Sequence, residues 1–210
     1  MTENSPTVFA DRIDADTADP VRDWSTRRTY RAGEFSPVEL VAAKAGRRIS
    51  VVLPARDEES TVAAIVTALR TELMEWVPLI DELVVVDSHS TDSTATVAAD
   101  AGARVVSQGE ILPALGDVPG KGEALWKALA ATDGDLIAYL DSDLREFDPG
   151  FAVGLLGPLL TEPGVVFCKG AFDRPLNDGR TILPAGGGRV TELVARPLLA
   201  THWPALTGFI

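Results

Sequence analysis

Four short apolar runs recur between stretches of helical spacing, and each ends in a polar cluster. No other feature of this sequence constrains its fold as much. The runs are ISVVLPA (49–55), DELVVVDS (81–88), ARVVS (103–107) and DLIAYLDSD (135–143). They are nearly continuous and rich in β-branched residues, the pattern of strands buried on both faces. Between them, ESTVAAIVTALRTELMEW places Val62, Ile65, Val66 and Leu69 on one helical face. TDSTATVAADAG reads as a helix that stops at Gly102, a residue suited to closing a helix. GKGEALWKALAATDG reads as a further helix. Strands alternating with helices predict an α/β fold of Rossmann-like form: a mostly parallel sheet with right-handed crossovers, flanked by helices.

In such sheets ligands bind outside the carboxyl ends of the strands. The polar clusters fall at those ends: PARDEES after the first run, DSHSTD after the second and DSD after the last. Three strand ends that present polar groups to one edge argue for a single site. The organisation expected around it is an arm over residues 1–40, docked through Trp24 or Phe35, a core over 41–150 that carries this edge, and a further region over 151–210.

Asp141-Ser142-Asp143 is open to three readings. Residues two apart in an extended chain point the same way, so the two carboxylates can converge on a hard divalent cation or act as an acid/base pair. Asp143 can instead cap the next element of the chain. Lys121 stands between Gly120 and Gly122 at a helix start, where glycine admits a ligand to the backbone and the helix N-terminus attracts phosphate. It is not a Walker loop, because Gly116 is too close and Gly122 stands where Ser or Thr is required. PARDEES places Asp57 and Glu58 at a helix start, where a base or ribose could also meet them. Asp87 and Ser88 end the second run, with Thr91 or Asp92 as caps. Gly186 to Gly188 lead into Arg189 and Thr191, a glycine-rich backbone with a guanidinium that suits an anion. His89 and His202 are expected to be incidental.

The formal charge of −12 sets the protein against nucleic acid and anionic membranes, so an anionic ligand needs a local positive pocket. The single cysteine, Cys168, excludes an internal disulfide and reads as a small buried hydrophobe in a reducing compartment. No run approaches the ~20 apolar residues of a membrane span. The polar, acidic N-terminus is unlike a signal peptide, and a cytoplasmic location is expected.

AAKAGRRISVVLPARDEE, VVVDSHSTD, GARVVS, PGKGEALWKALAATDGD, YLDSDL, GPLLT and GGGRVTELVARPLLA occur in this order. They resemble the signature stretches of the actinobacterial glucosyl-3-phosphoglycerate synthase family, retaining nucleotide-sugar glycosyltransferases of the GT-A fold. The likeness runs from Val38 to Ala200, and GGGRVTELVARPLL is its most specific part. It implies transfer of glucose from UDP-glucose to D-3-phosphoglycerate. Asp143 and Asp141 would hold Mg²⁺ or Mn²⁺ on the donor diphosphate, and Lys121 and Ser142 would also meet the donor. Pro54, Ala55, Asp57, Glu58 and Ser88 would line the uridine pocket. The catalytic assignments would be Asp141, Asp143 and Lys121, and Gly188, Arg189 and Thr191 would bind 3-phosphoglycerate.

Two departures stand out: Arg56-Asp57 replaces a usual Leu-Asn, and His89 replaces a usual glycine. Full-length relatives are expected to be homodimers and to continue for roughly another hundred residues. That further part would include a histidine metal ligand, so a C-terminally truncated chain with poor turnover is expected here. Alternatives are a mannosyl-3-phosphoglycerate synthase, a polyprenyl-phosphate glycosyltransferase, or an inactive nucleotide-sugar-binding remnant.

Overall fold

The structure, a computed structural model, describes residues 26–170, 176–177, 182–183 and 194–202. The chain divides into two compact units, Tyr30–Gly170 and the pairing of 1–29 with 171–210.

In the first unit a 3₁₀ turn at Ala32–Glu34 precedes α1 (Pro37–Ala43) and β1 (Ile49–Ala55). Then come α2 (Val62–Arg70), β2 (Glu82–Asp87), α3 (Thr94–Asp100), β3 (Arg104–Ser107), α4 (Lys121–Ala131), β4 (Leu136–Tyr139) and α5 (Gly150–Thr161). The four strands form one all-parallel sheet in the order β3-β2-β1-β4, as the alternation of runs predicts. All seven residues of β1 are buried, which is why its sequence is a continuous apolar run. Its side chains alternate between the two faces. Val51, Leu53 and Ala55 join a core with Val62, Ile65, Val66 and Leu69 of α2 and Leu156 of α5. Val52 joins Val84, Val86, Ala124 and Ala128 on the other face, under α4. The sheet is thus wound on both sides.

α2 runs on into a wider π-helical turn, Thr71–Trp76, that buries Leu73. α3 ends before Gly102, which has φ +104. The opposite end of the sheet is tied by acids: Ser50 Oγ and Arg104 donate to Glu82, and Ile49 N and Lys44 to Asp81. Burial pushes both carboxyls up, but these donors outweigh it and hold them below the usual range.

Phe35 packs half-buried against the core, and a Cβ on Gly157 of α5 would overlap its ring. Trp24, the other expected anchor, lies outside the described residues. Cys168 differs from expectation. It is half-buried in the segment after α5, beside exposed Val166 and Phe167, and burial raises its thiol pKa.

The second unit contributes an antiparallel pair, β5 (Leu176–Asn177) and β6 (Ile182–Leu183), and the helix α6 (Arg196–His202). Gly188, Arg189 and Thr191 lie outside the described residues. Among the described residues no helix is long and apolar enough to cross a membrane.

Candidate active site

The chain moves outward from β1 to β2 and β3, then returns to place β4 on the other side of β1. Strand order therefore reverses between β1 and β4, the place where a crevice opens at the carboxyl edge. A cavity of about 260 Å³ lies there. It is lined by Pro54, Ala55, Arg56 and Glu58 after β1, Ser88 after β2, Gly120, Lys121 and Ala124 at the start of α4, and Ser142 and Asp143 after β4. The structure thus brings together seven of the residues singled out from the sequence. Asp57 and Asp141 are not among the lining residues.

The loops that carry these residues are braced against one another. Ser88 N donates to Ala55 O at 2.8 Å. Asp57 sits at φ +57, a left-handed conformation that Asp tolerates better than most residues. Its Oδ1 accepts from Thr91 N (2.7 Å) and Thr91 Oγ1 (3.2 Å), while its own N–H donates to Ser90 Oγ (3.0 Å). Glu58 N donates to Thr94 Oγ1 at 2.7 Å, and Ser93 N donates to Glu59 Oε2 at 2.8 Å. The first two loops therefore hold each other in both directions. Asp92 receives Thr94 Oγ1 (2.5 Å) and Thr94 N (3.0 Å), and the hydroxyl above all keeps its carboxyl below the usual range.

β4 stops at Tyr139, so Asp141-Ser142-Asp143 lies past the end of the ladder. Ser142 is buried; its hydroxyl donates to Pro54 O (2.7 Å) and its carbonyl accepts from Thr61 Oγ1 (2.7 Å). The acids on either side go different ways. Asp141 pairs with the Lys121 ammonium. Asp143 lines the cavity, is exposed, and has no ion pair or hydrogen bond among the described residues. α4 begins at Lys121, after Gly120 at φ +139, a conformation open only to glycine in practice. Asp87, at the end of β2, has a buried Oδ1 with no hydrogen-bond partner among the described residues.

A layer under the cavity is one that sequence reasoning missed. Lys127 is fully buried and donates to Gln108 O (3.2 Å), Gly116 O (2.8 Å) and Asp117 Oδ1 (3.2 Å). Its signal was present: it stands three residues after Ala124 and one before Ala128, both buried on the same face of α4. Gln108, also fully buried, donates to Asp117 Oδ1 (2.7 Å) and Val118 O (3.2 Å). Asp117 further meets His89 Nε2 at 2.8 Å. The Gln108 amide first, then Lys127 and His89, hold the Asp117 carboxyl below the usual range. His89 is exposed as expected but not unpartnered, and its φ of +63 is one that glycine enters without strain.

Among the described residues no group of three or more His, Cys, Asp or Glu comes together to hold a metal. The carboxylate at the cavity is that of Asp143; Asp141, two residues before it, is paired with Lys121. The Asp143 carboxylate suits a hard divalent cation of the kind that takes one or two carboxylates and completes its shell with ligand phosphates.

The family model described as glycosyl transferase family 2 matches residues 50–188, about two thirds of the chain. The chain belongs to glycosyl transferase family 2. The glucosyl-3-phosphoglycerate synthase of Mycolicibacterium smegmatis is 51% identical over 183 residues, covering 87% of this chain and 59% of that protein. The mannosyl-3-phosphoglycerate synthase from Rubrobacter xylanophilus superposes with a TM-score of 0.80 at 45% identity, covering 90% of this chain and 59% of that one. The Mycobacterium tuberculosis glucosyl-3-phosphoglycerate synthase, solved with Mn²⁺, UDP and glucosyl-3-phosphoglycerate, superposes at 0.73 with 48% identity, covering 86% and 59%. These are GT-A glycosyltransferases, and the parallel sheet found here is of that fold. The chain spans about three fifths of the length of these relatives.

Proposed function

We propose that this chain forms the donor-binding part of a retaining hexosyltransferase that moves glucose from UDP-glucose to 3-phosphoglycerate. The observation that carries the reading is the cavity at the sheet's reversal point, in a chain 51% identical to a glucosyl-3-phosphoglycerate synthase. The donor's diphosphate would lie toward Lys121 and Asp143 and its uridine toward Pro54, Ala55, Glu58 and Ser88. Asp143, helped by Asp141, would hold Mg²⁺ or Mn²⁺. A bound divalent cation supplies Lewis-acid stabilisation of the charge that develops on the leaving diphosphate.

The chain's own groups do the rest. Lys121, Arg56 and the N-terminus of α4 are the groups that would meet the donor's negative charge in a protein of formal charge −12. Asp57 acts through its Thr91 brace, which shapes the loop carrying Ser88, and Ser142 acts by tying the Asp143 loop to Pro54. Gly188, Arg189 and Thr191 would hold the acceptor's phosphate and carboxylate.

Mannose as the transferred sugar is a second reading, favoured by the TM-score of 0.80 with the mannosyl enzyme. The test is calorimetric titration of UDP-glucose with Mg²⁺, with EDTA, and into Asp143→Ala, repeated with GDP-mannose. Metal-dependent UDP-glucose binding that is lost in the variant supports the proposal. Metal-dependent binding of GDP-mannose alone supports the mannosyl reading, and no binding of either donor refutes both.

A further inference from the structure

Gln108 touches no cavity surface, yet its hydrogen bonds decide what Ser88 can offer a ligand. An amide side chain has one end that donates and one that accepts. The groups facing one end of Gln108 are the Asp117 carboxylate (2.7 Å) and the Val118 carbonyl (3.2 Å), neither of which can donate. The depressed Asp117 carboxyl stays ionised at neutral pH and keeps that assignment firm. The amide nitrogen must therefore face them, and Oε1 must face Ser88. Because Oε1 can only accept, the Ser88 hydroxyl must donate to it. Ser88 Oγ is left with lone pairs alone on the cavity side.

The ends of β4 and β2 are two strand spacings apart, about 10 Å. A diphosphate held near Asp143 and Lys121 thus brings the nucleoside to Ser88. The geometry points to Gln108 as a positioning residue that fixes Ser88 as a pure hydrogen-bond acceptor toward the ring nitrogen of the base, so the site favours an imino N–H there, as in uracil, over a bare ring nitrogen, as in cytosine. This rests on the nucleotide-donor reading above. Lys127 and Asp117 complete the device by holding Gln108 from below.

The experiment is calorimetric titration of UDP, CDP and 2′-deoxy-UDP, with Mg²⁺, into the wild-type chain, Gln108→Met and Ser88→Ala. Wild type is expected to bind UDP about ten-fold or more tighter than CDP, the penalty for facing two acceptors. In Gln108→Met the hydroxyl is free to turn and donate, so CDP gains and the ratio falls to within about three-fold. In Ser88→Ala the ratio falls because UDP loses. Equal weakening of UDP and CDP in the variants, with the ratio kept, marks a purely structural role and overturns the inference. Equal binding of UDP and CDP by wild type also overturns it; a 2′-deoxy penalty that vanishes in Ser88→Ala would then assign the hydroxyl to the ribose. If Gln108→Met does not fold, Ser88→Ala decides alone, and a retained preference overturns the inference. A wild-type chain that binds none of the three refutes the donor reading itself, a result distinct from binding without selectivity.

Discussion

The Lys121 ammonium donates to the Asp141 carboxylate, joining the first residue of α4 to the loop that leaves β4. The Lys121 side chain is 59% exposed and that of Asp141 37%, so the pair is solvated and contributes about 1 kcal/mol or less to folding. A contact that weak can open when a stronger anion arrives. Lys121→Ala is therefore expected to leave the unfolding midpoint nearly unchanged while weakening UDP-glucose at least about ten-fold, or 1.4 kcal/mol. Urea unfolding and calorimetry on one sample separate the two. A large loss of stability with unchanged affinity would place the lysine in the scaffold.

Lys127 should behave in the opposite way. Its side chain has no exposure and answers acceptors on Gln108, Gly116 and Asp117. Lys127→Met leaves the carbonyl of buried Gln108 without its donor, while exposed Gly116 and Asp117 can turn to water, with an expected cost of about 2 kcal/mol. Urea unfolding followed by tryptophan fluorescence measures it. A cost below about 1 kcal/mol would mean that water replaces the ammonium.

Acid sensitivity follows from Asp117. Its carboxyl titrates below the ordinary value of 3.8, so between the folded and unfolded pKa the unfolded chain binds more protons. Its contribution is fully present above the unfolded pKa and is lost as pH falls through the folded one. Asp117→Asn should therefore flatten the acid limb of the stability profile below about pH 4, read from urea midpoints stepped downward in pH. An unaltered acid limb would show that the carboxylate gains nothing from Gln108, Lys127 and His89.

Gly134, in the turn before β4, faces backbone. A Cβ there would lie 2.7 Å from Leu136 O and from Ser50 N, and 2.6 Å from Ser50 Oγ. Gly134→Ala should cost about 2–3 kcal/mol by forcing β4 away from β1. Because that displacement moves the Asp143 loop, donor affinity should fall with stability. Thermal melts and calorimetry check both, and an unchanged melting temperature would show that the turn adjusts freely.

The sheet was legible because β1 and β2 are buried on both faces, which leaves Ser50 as the one polar residue within their apolar runs. The helix α2 was legible because Val62, Ile65, Val66 and Leu69 fall on one face. The cavity was legible in outline, since parallel topology gathers the residues after β1, β2 and β4 at one edge. Less legible was how neighbours divide the work. Asp141 and Asp143 read as a pair, but β4 ends at Tyr139 and they part, one to Lys121 and one to the cavity. Gln108 and Lys127 were hidden because polar residues ordinarily mark a surface. What makes them interior is a loop 108–118 whose path is set by tertiary contacts, not by local spacing. The segment 144–170 carried no helical assignment from sequence, yet α5 forms there with Pro158 inside it.

The seating of Phe35 over Gly157 bears on where this protein can be cut. The ring fills a notch in α5 that exists only because position 157 lacks a side chain. A chain trimmed to begin at Val41 would keep every strand and every cavity residue, yet carry that notch open to water. Its bare apolar floor would then be a seam along which two trimmed molecules could stick.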